Sequence, residues 1–80
     1  MTAREPLILY SRVDCHLCDR LVEVLDRMAV PWRPVDIDDD AELVARYGIH
    51  VPVLRHPDSG QELFYPFSEA EVRRLLEYAD

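Results

Sequence analysis

No lysine occurs in this 80-residue chain; all nine Lys/Arg positions are arginine, against sixteen Asp and Glu, for a net charge of −7. A chain so acidic has no basic stripe with which to hold nucleic acid or an anionic membrane surface, and neither partner is expected. No apolar run approaches the roughly 20 residues of a membrane span. The opening MTAREPLILY lacks a cationic region, a long apolar stretch and a small-residue cleavage site, so no secretion signal is read and a cytoplasmic location is expected. Two cysteines are too few for a secreted disulfide scaffold, and two glycines leave little flexible linker. No repeat, low-complexity segment, P-loop, dinucleotide fingerprint or Ser/His/Asp pattern is present.

What is present is 49% hydrophobic residues, enough for a modest core. Length fits one domain over 1–80, expected to be a soluble monomer. LILY, residues 7–10, reads as a buried strand. Leu17, Leu21, Val24, Leu25 and Met28 then recur at helical spacing, and Pro31 is read as the stop. WRPVDID, residues 32–38, is a second strand, placed at a sheet edge by Pro34. DDDAELVARYG reads as a short helix with acids at its start and Gly48 at its end. VPVLRH and QELFY form a hairpin through the turn PDSG. Ser68 with Glu71 makes a capping box for a last helix, whose inner face takes Val72, Leu75, Leu76 and Ala79. The order β-α-β-α-β-β-α predicts an α/β fold: a four-stranded mixed sheet with helices on both faces.

Cys15 and Cys18 are separated by two residues at the passage from the first strand to the first helix. Free N–H groups and the positive end of the helix dipole stabilise a thiolate there, and the thiolate is the reactive form. This placement favours a redox pair, with Cys15 as exposed nucleophile and Cys18 as resolving thiol. His16 adds a titratable charge beside Cys15, which Asp14 and Asp19 oppose. Two plainer readings stand beside this one. A zinc clip could draw on Cys15, Cys18, His16 and either His50 or His56, but no second pair has ligand spacing. Both thiols could also be inert core residues. The acids Asp36, Asp38, Asp39 and Asp40 lack the glycine and distant Glu of a calcium loop and read as strand-end and helix-cap groups. Trp32, Tyr47, Phe64 and Tyr65 read as packing residues, with Tyr65 and Phe67 as an alternative apolar rim near the thiols.

LILYSRVDCHLCDRLVEVL followed by PVDIDDDAELVARYGIHVPVL resembles the glutaredoxin-like branch of the thioredoxin superfamily, over nearly the whole chain. The resemblance implies a thioredoxin fold with glutaredoxin topology and a thiol–disulfide oxidoreductase. It also implies a cis peptide bond at Val51–Pro52, a loop facing Cys15, and pairing of the Val51 backbone with an extended substrate. One stretch departs from the family pattern. Where glutathione-using members carry two glycines and an acid, this chain has YPFSEAE, with Tyr65, Pro66 and Phe67 in the glycine positions. Bulk and proline there close the open backbone that the tripeptide would approach. Ser68 and Glu69 could still receive an amino group, and Arg12 a carboxylate. No cofactor is expected; glutathione stays a candidate cosubstrate, and this departure from the family pattern puts its use in question. The substrate is expected to be a protein or a small thiol or disulfide, with Arg12, His16, Val51, Pro52, Tyr65 and Ser68 around the pair. The alternatives are a redox-silent module holding a metal or iron–sulfur cluster, and an adaptor that keeps the fold without the chemistry.

Overall fold

The computed structural model describes residues 5–77. Its elements are β1 (Leu7–Ser11), α1 (His16–Arg27), β2 (Trp32–Asp36), a single 3-10 turn (Ile37–Asp39), α2 (Ala41–Tyr47), β3 (Val53–Arg55), β4 (Glu62–Phe64) and α3 (Glu69–Glu77). The sheet order is β2-β1-β3-β4. β1 and β2 run parallel, joined by the α1 crossover, and the other two contacts are antiparallel. This is the expected thioredoxin-type α/β architecture, with proline-bearing β2 on an edge.

Alternation along the strands divides the interior. Leu7 and Leu9 of β1 and Leu54 of β3 pack with Leu21, Leu25, Val72 and Leu75 of α1 and α3. The intervening residues, Tyr10 and Val53, face the other way and pack with Ile37, Leu43, Val44 and Tyr47 on the α2 side.

Two boundaries and one inward-facing position differ from the sequence reading. β2 ends at Asp36 rather than Asp38, because the Asp36 carboxylate accepts the Asp38 N–H at 2.9 Å and turns the chain into the 3-10 segment. α1 stops before Pro31 is reached. The Ala29 N–H donates to the Asp26 carbonyl and the Val30 N–H to the Leu25 carbonyl, with Ala29 left-handed at φ 59°. That is a Schellman ending, and its apolar contact joins Val30 and Leu25 in one core. Leu17, assigned to the inner face of α1, is exposed; Cys18 takes the buried position instead. Elsewhere the local signals hold. Asp40 caps α2 by accepting the Glu42 N–H, and Gly48 ends it where a Cβ would stand 2.6 Å from the Val44 carbonyl oxygen. Ser68 and Glu71 exchange the two hydrogen bonds of a capping box at α3. Ala79 lies outside the described residues.

Candidate active site

Strand directions bring four segments to one end of the sheet. β1, β2 and β4 finish there, leading to Arg12–Cys15, Asp36–Asp40 and Tyr65–Ser68. β3 begins there, preceded by His50–Pro52, because Tyr10 pairs with Val53 and Val53 with Phe64.

At this end Cys15 is the N-cap of α1, in extended conformation. Its Sγ accepts the Cys18 backbone N–H at 3.1 Å, and its carbonyl accepts the Asp19 N–H at 3.2 Å. Cys15 and Cys18 are joined as a disulfide with their Cα atoms 5.2 Å apart. Cys15 is half-buried and Cys18 fully buried. The approach to Cys15 is a turn through Val13 and Asp14, with Asp14 at φ 63°, a conformation Asp tolerates better than most residues. The N–H aimed at Sγ would hold a thiolate at the same place after reduction, reinforced by the helix dipole.

Val51–Pro52 is cis, as the resemblance implies, and so is Tyr65–Pro66. Among the described residues, no other group takes the backbone N–H or C=O of Val51. The Pro52 carbonyl accepts the Tyr65 N–H at 3.3 Å, which ties the two proline segments together. Tyr65 and Phe67, in edge-on contact at 6.1 Å, line a groove of about 160 Å³ with Leu21 and Val24 of α1. The groove begins one turn beyond Cys18, and Arg20, Ser68 and Glu69 reach its walls. His16 stands exposed beside Cys15.

Two residues have different occupations from those read in the sequence. Arg12, offered there as a carboxylate binder for substrate, has its guanidinium engaged within the protein. It donates to both Asp38 carboxylate oxygens, at 2.6 and 3.2 Å, and to the Gly48 carbonyl at 3.2 Å. The hydrogen bond lowers the Asp38 pKa and raises that of Arg12. The loop before Cys15, the turn after β2 and the end of α2 are thereby clasped together. Ser68 is used by its own helix: its Oγ accepts the Glu71 N–H. His56 lies away from the cysteines, at the far end of β3. It is buried, and its Nδ1 accepts the Asp58 and Ser59 N–H groups of the hairpin turn. Among the described residues no three His, Cys, Asp or Glu side chains are grouped as a metal would require. No described helix is long and apolar enough to cross a membrane.

The sequence reading missed the Arg12 clasp and the second cis proline. Arg12 was visible beside the motif, but its partner stands 26 residues away and no local pattern links them.

Comparison with known proteins agrees with this geometry. Residues 6–77 match the family model described as glutaredoxin-like domain (DUF836). The crystal structure of the structural-genomics target protein XcR50 from X. campestris is 49% identical, with a TM-score of 0.79 over 92% of this chain and 99% of that one. The solution structure of XcR50 is 48% identical, with a TM-score of 0.80 over 95% and 97% of the two chains. No curated protein is significantly similar.

Proposed function

The chain belongs to the glutaredoxin-like domain family, and on that footing we propose that it is a dithiol–disulfide oxidoreductase with Cys15 as nucleophile and Cys18 as resolving thiol. The observation that carries the proposal is the difference between the two sulfurs: Cys15 caps the helix, partly open and facing an N–H, while Cys18 is buried one turn inside.

In the reducing direction the Cys15 thiolate attacks one sulfur of a substrate disulfide. A Cys15–substrate bond forms and the first substrate thiolate leaves, taking a proton. The Cys18 thiolate then attacks Cys15 Sγ. The mixed bond breaks, the second substrate thiol leaves, and the Cys15–Cys18 disulfide remains. Two electrons and two protons pass to the substrate, and a thiol donor must return them. The unoccupied backbone of Val51 supports an extended substrate laid against the proline loop. The bulk of Tyr65 and Phe67 argues against glutathione as the preferred partner, and the acidic charge against nucleic acid or an anionic membrane. We read the molecule as a cofactor-free, cytoplasmic, single-domain monomer.

The test is thiol exchange with hydroxyethyl disulfide. Cys15→Ser should abolish it. Cys18→Ser should keep the first attack and accumulate a mixed disulfide visible by intact mass. Undiminished exchange by Cys15→Ser would remove the assignment.

A further inference from the structure

The large apolar side chains exposed on the described surface are few, and they lie at the disulfide end of the sheet. Val13, 74% exposed, is in the turn before Cys15; Leu17, 42% exposed, sits between the cysteines. Ile49, 92% exposed, precedes the proline loop, and Phe64, 44% exposed, closes β4. His50 meets the Phe64 ring edge-on at 5.3 Å and extends this border. Single exposed hydrophobics scattered over a surface need no explanation, but a set gathered at one end of the sheet, the end that carries the disulfide, points to a contact surface.

Acidic side chains outnumber basic ones at this end, even counting Arg20 on the groove wall. Asp14 and Asp19 flank the cysteine pair, and Asp39 and Asp40 follow β2, all exposed. Arg12, the cation just before the motif, is neutralised by Asp38. Glutathione, a small anion with two carboxylates and no large apolar side chain, matches neither the charge nor the apolar border. A polypeptide with cationic and apolar side chains next to its cysteine matches both.

We propose that the substrate is a disulfide carried by an extended protein segment in which basic and apolar residues flank the cysteine. Its backbone pairs with Val51, its apolar side chains meet Val13, Leu17, Ile49 and Phe64, and its cations face Asp14, Asp19, Asp39 and Asp40. This rests on the assignment of Cys15 as nucleophile, and the chemical step is the exchange already described.

Three probes separate the two claims. Hydroxyethyl disulfide reports exchange alone. Two synthetic peptides, each with one cysteine held as a mixed disulfide with 2-mercaptoethanol, report the flanks: one Arg- and Leu-flanked, one Glu- and Ser-flanked. With the reduced protein at low salt, the Arg/Leu peptide should react about tenfold faster than the Glu/Ser peptide, and the preference should shrink as salt is raised. Ile49→Ser and Val13→Ser should each lower, several-fold, the ratio of the Arg/Leu peptide rate to the hydroxyethyl disulfide rate. If hydroxyethyl disulfide is reduced but both peptides react alike, or the acidic one faster, the docking proposal is overturned and the exchange activity stands. If hydroxyethyl disulfide is not reduced, the exchange activity itself fails and the docking proposal goes with it.

Discussion

The sheet face under α1 and α3 is aliphatic, whereas the face under α2 is aromatic and hydrogen-bonded. On the first, buried leucines and valines from two helices and two strands meet, with the aromatic rings of Trp32 and Phe67 packed only at the partly buried margin. On the second, Tyr47 is fully buried, stacks on Tyr10 at 4.4 Å and donates its hydroxyl to Glu62, which also pairs with Arg55 across the hairpin at 3.2 Å. Arg12 and Asp38 add an ion pair at the same side's margin. The aliphatic face gains from burial, which does not depend on pH. The other face holds its geometry through groups that titrate. The groups whose pKa moves from its ordinary value, Arg12, Asp38, Tyr47 and Arg55, lie on this second side, so pH dependence should come mainly from the half that borders the proline loop.

The contrast can be broken from the aliphatic side first. Leu25→Ala, at a fully buried position, should lose about 2–5 kcal/mol in urea unfolding, a large share of the ~5–15 kcal/mol of a typical domain. That loss should be the same from pH 5 to pH 9. A loss that varied strongly with pH would erase the distinction between the faces.

Tyr47→Phe sharpens it. Removing one hydroxyl donor should lower stability by about 1 kcal/mol at neutral pH, since Glu62 retains Arg55. Burial, with help from the Glu62 hydrogen bond, raises the Tyr47 pKa above the ordinary 10.0. A raised pKa contributes stability below the unfolded-state value and loses it as pH rises through the folded one. The parent protein should therefore weaken above about pH 10, and Tyr47→Phe should weaken less steeply there, as read from urea midpoints against pH.

The smallest effect is expected at Arg12→Ala. The pair with Asp38 is solvent-exposed, so neutral-pH stability should barely move. The lowered Asp38 pKa contributes stability above its ordinary 3.8, and that contribution disappears as pH falls through the folded value. Arg12→Ala should show a shallower acid limb below about pH 4; an unchanged limb would detach the pair from the pH-dependent half.

These residues also show what a sequence can reveal. Local signals were legible: the spacing of Leu21 and Leu25, the Ser68–Glu71 box and the strand alternation each depend on neighbours within four positions. The cysteine pair was legible for the same reason. Boundaries set by competition between local hydrogen bonds were less so. Asp36 ends β2 by bonding two residues ahead, where apolar Ile37 suggested continuation. Ala29 adopts a left-handed turn more often held by glycine. Contacts made only by folding were not legible at all. Arg12 to Asp38 and Tyr47 to Glu62 join residues with no shared pattern, and the Val51–Pro52 cis bond entered only through family likeness.

Cys18 lies behind Cys15, and this makes the reduced protein singly addressable. A maleimide dye offered to the reduced, folded chain should meet Cys15 first, since Cys18 is buried, and no lysine side chain competes with that thiol for the reagent. A label or bead attached that way would take the whole molecule by its disulfide end, and the second thiol should become reagent-visible when the fold opens.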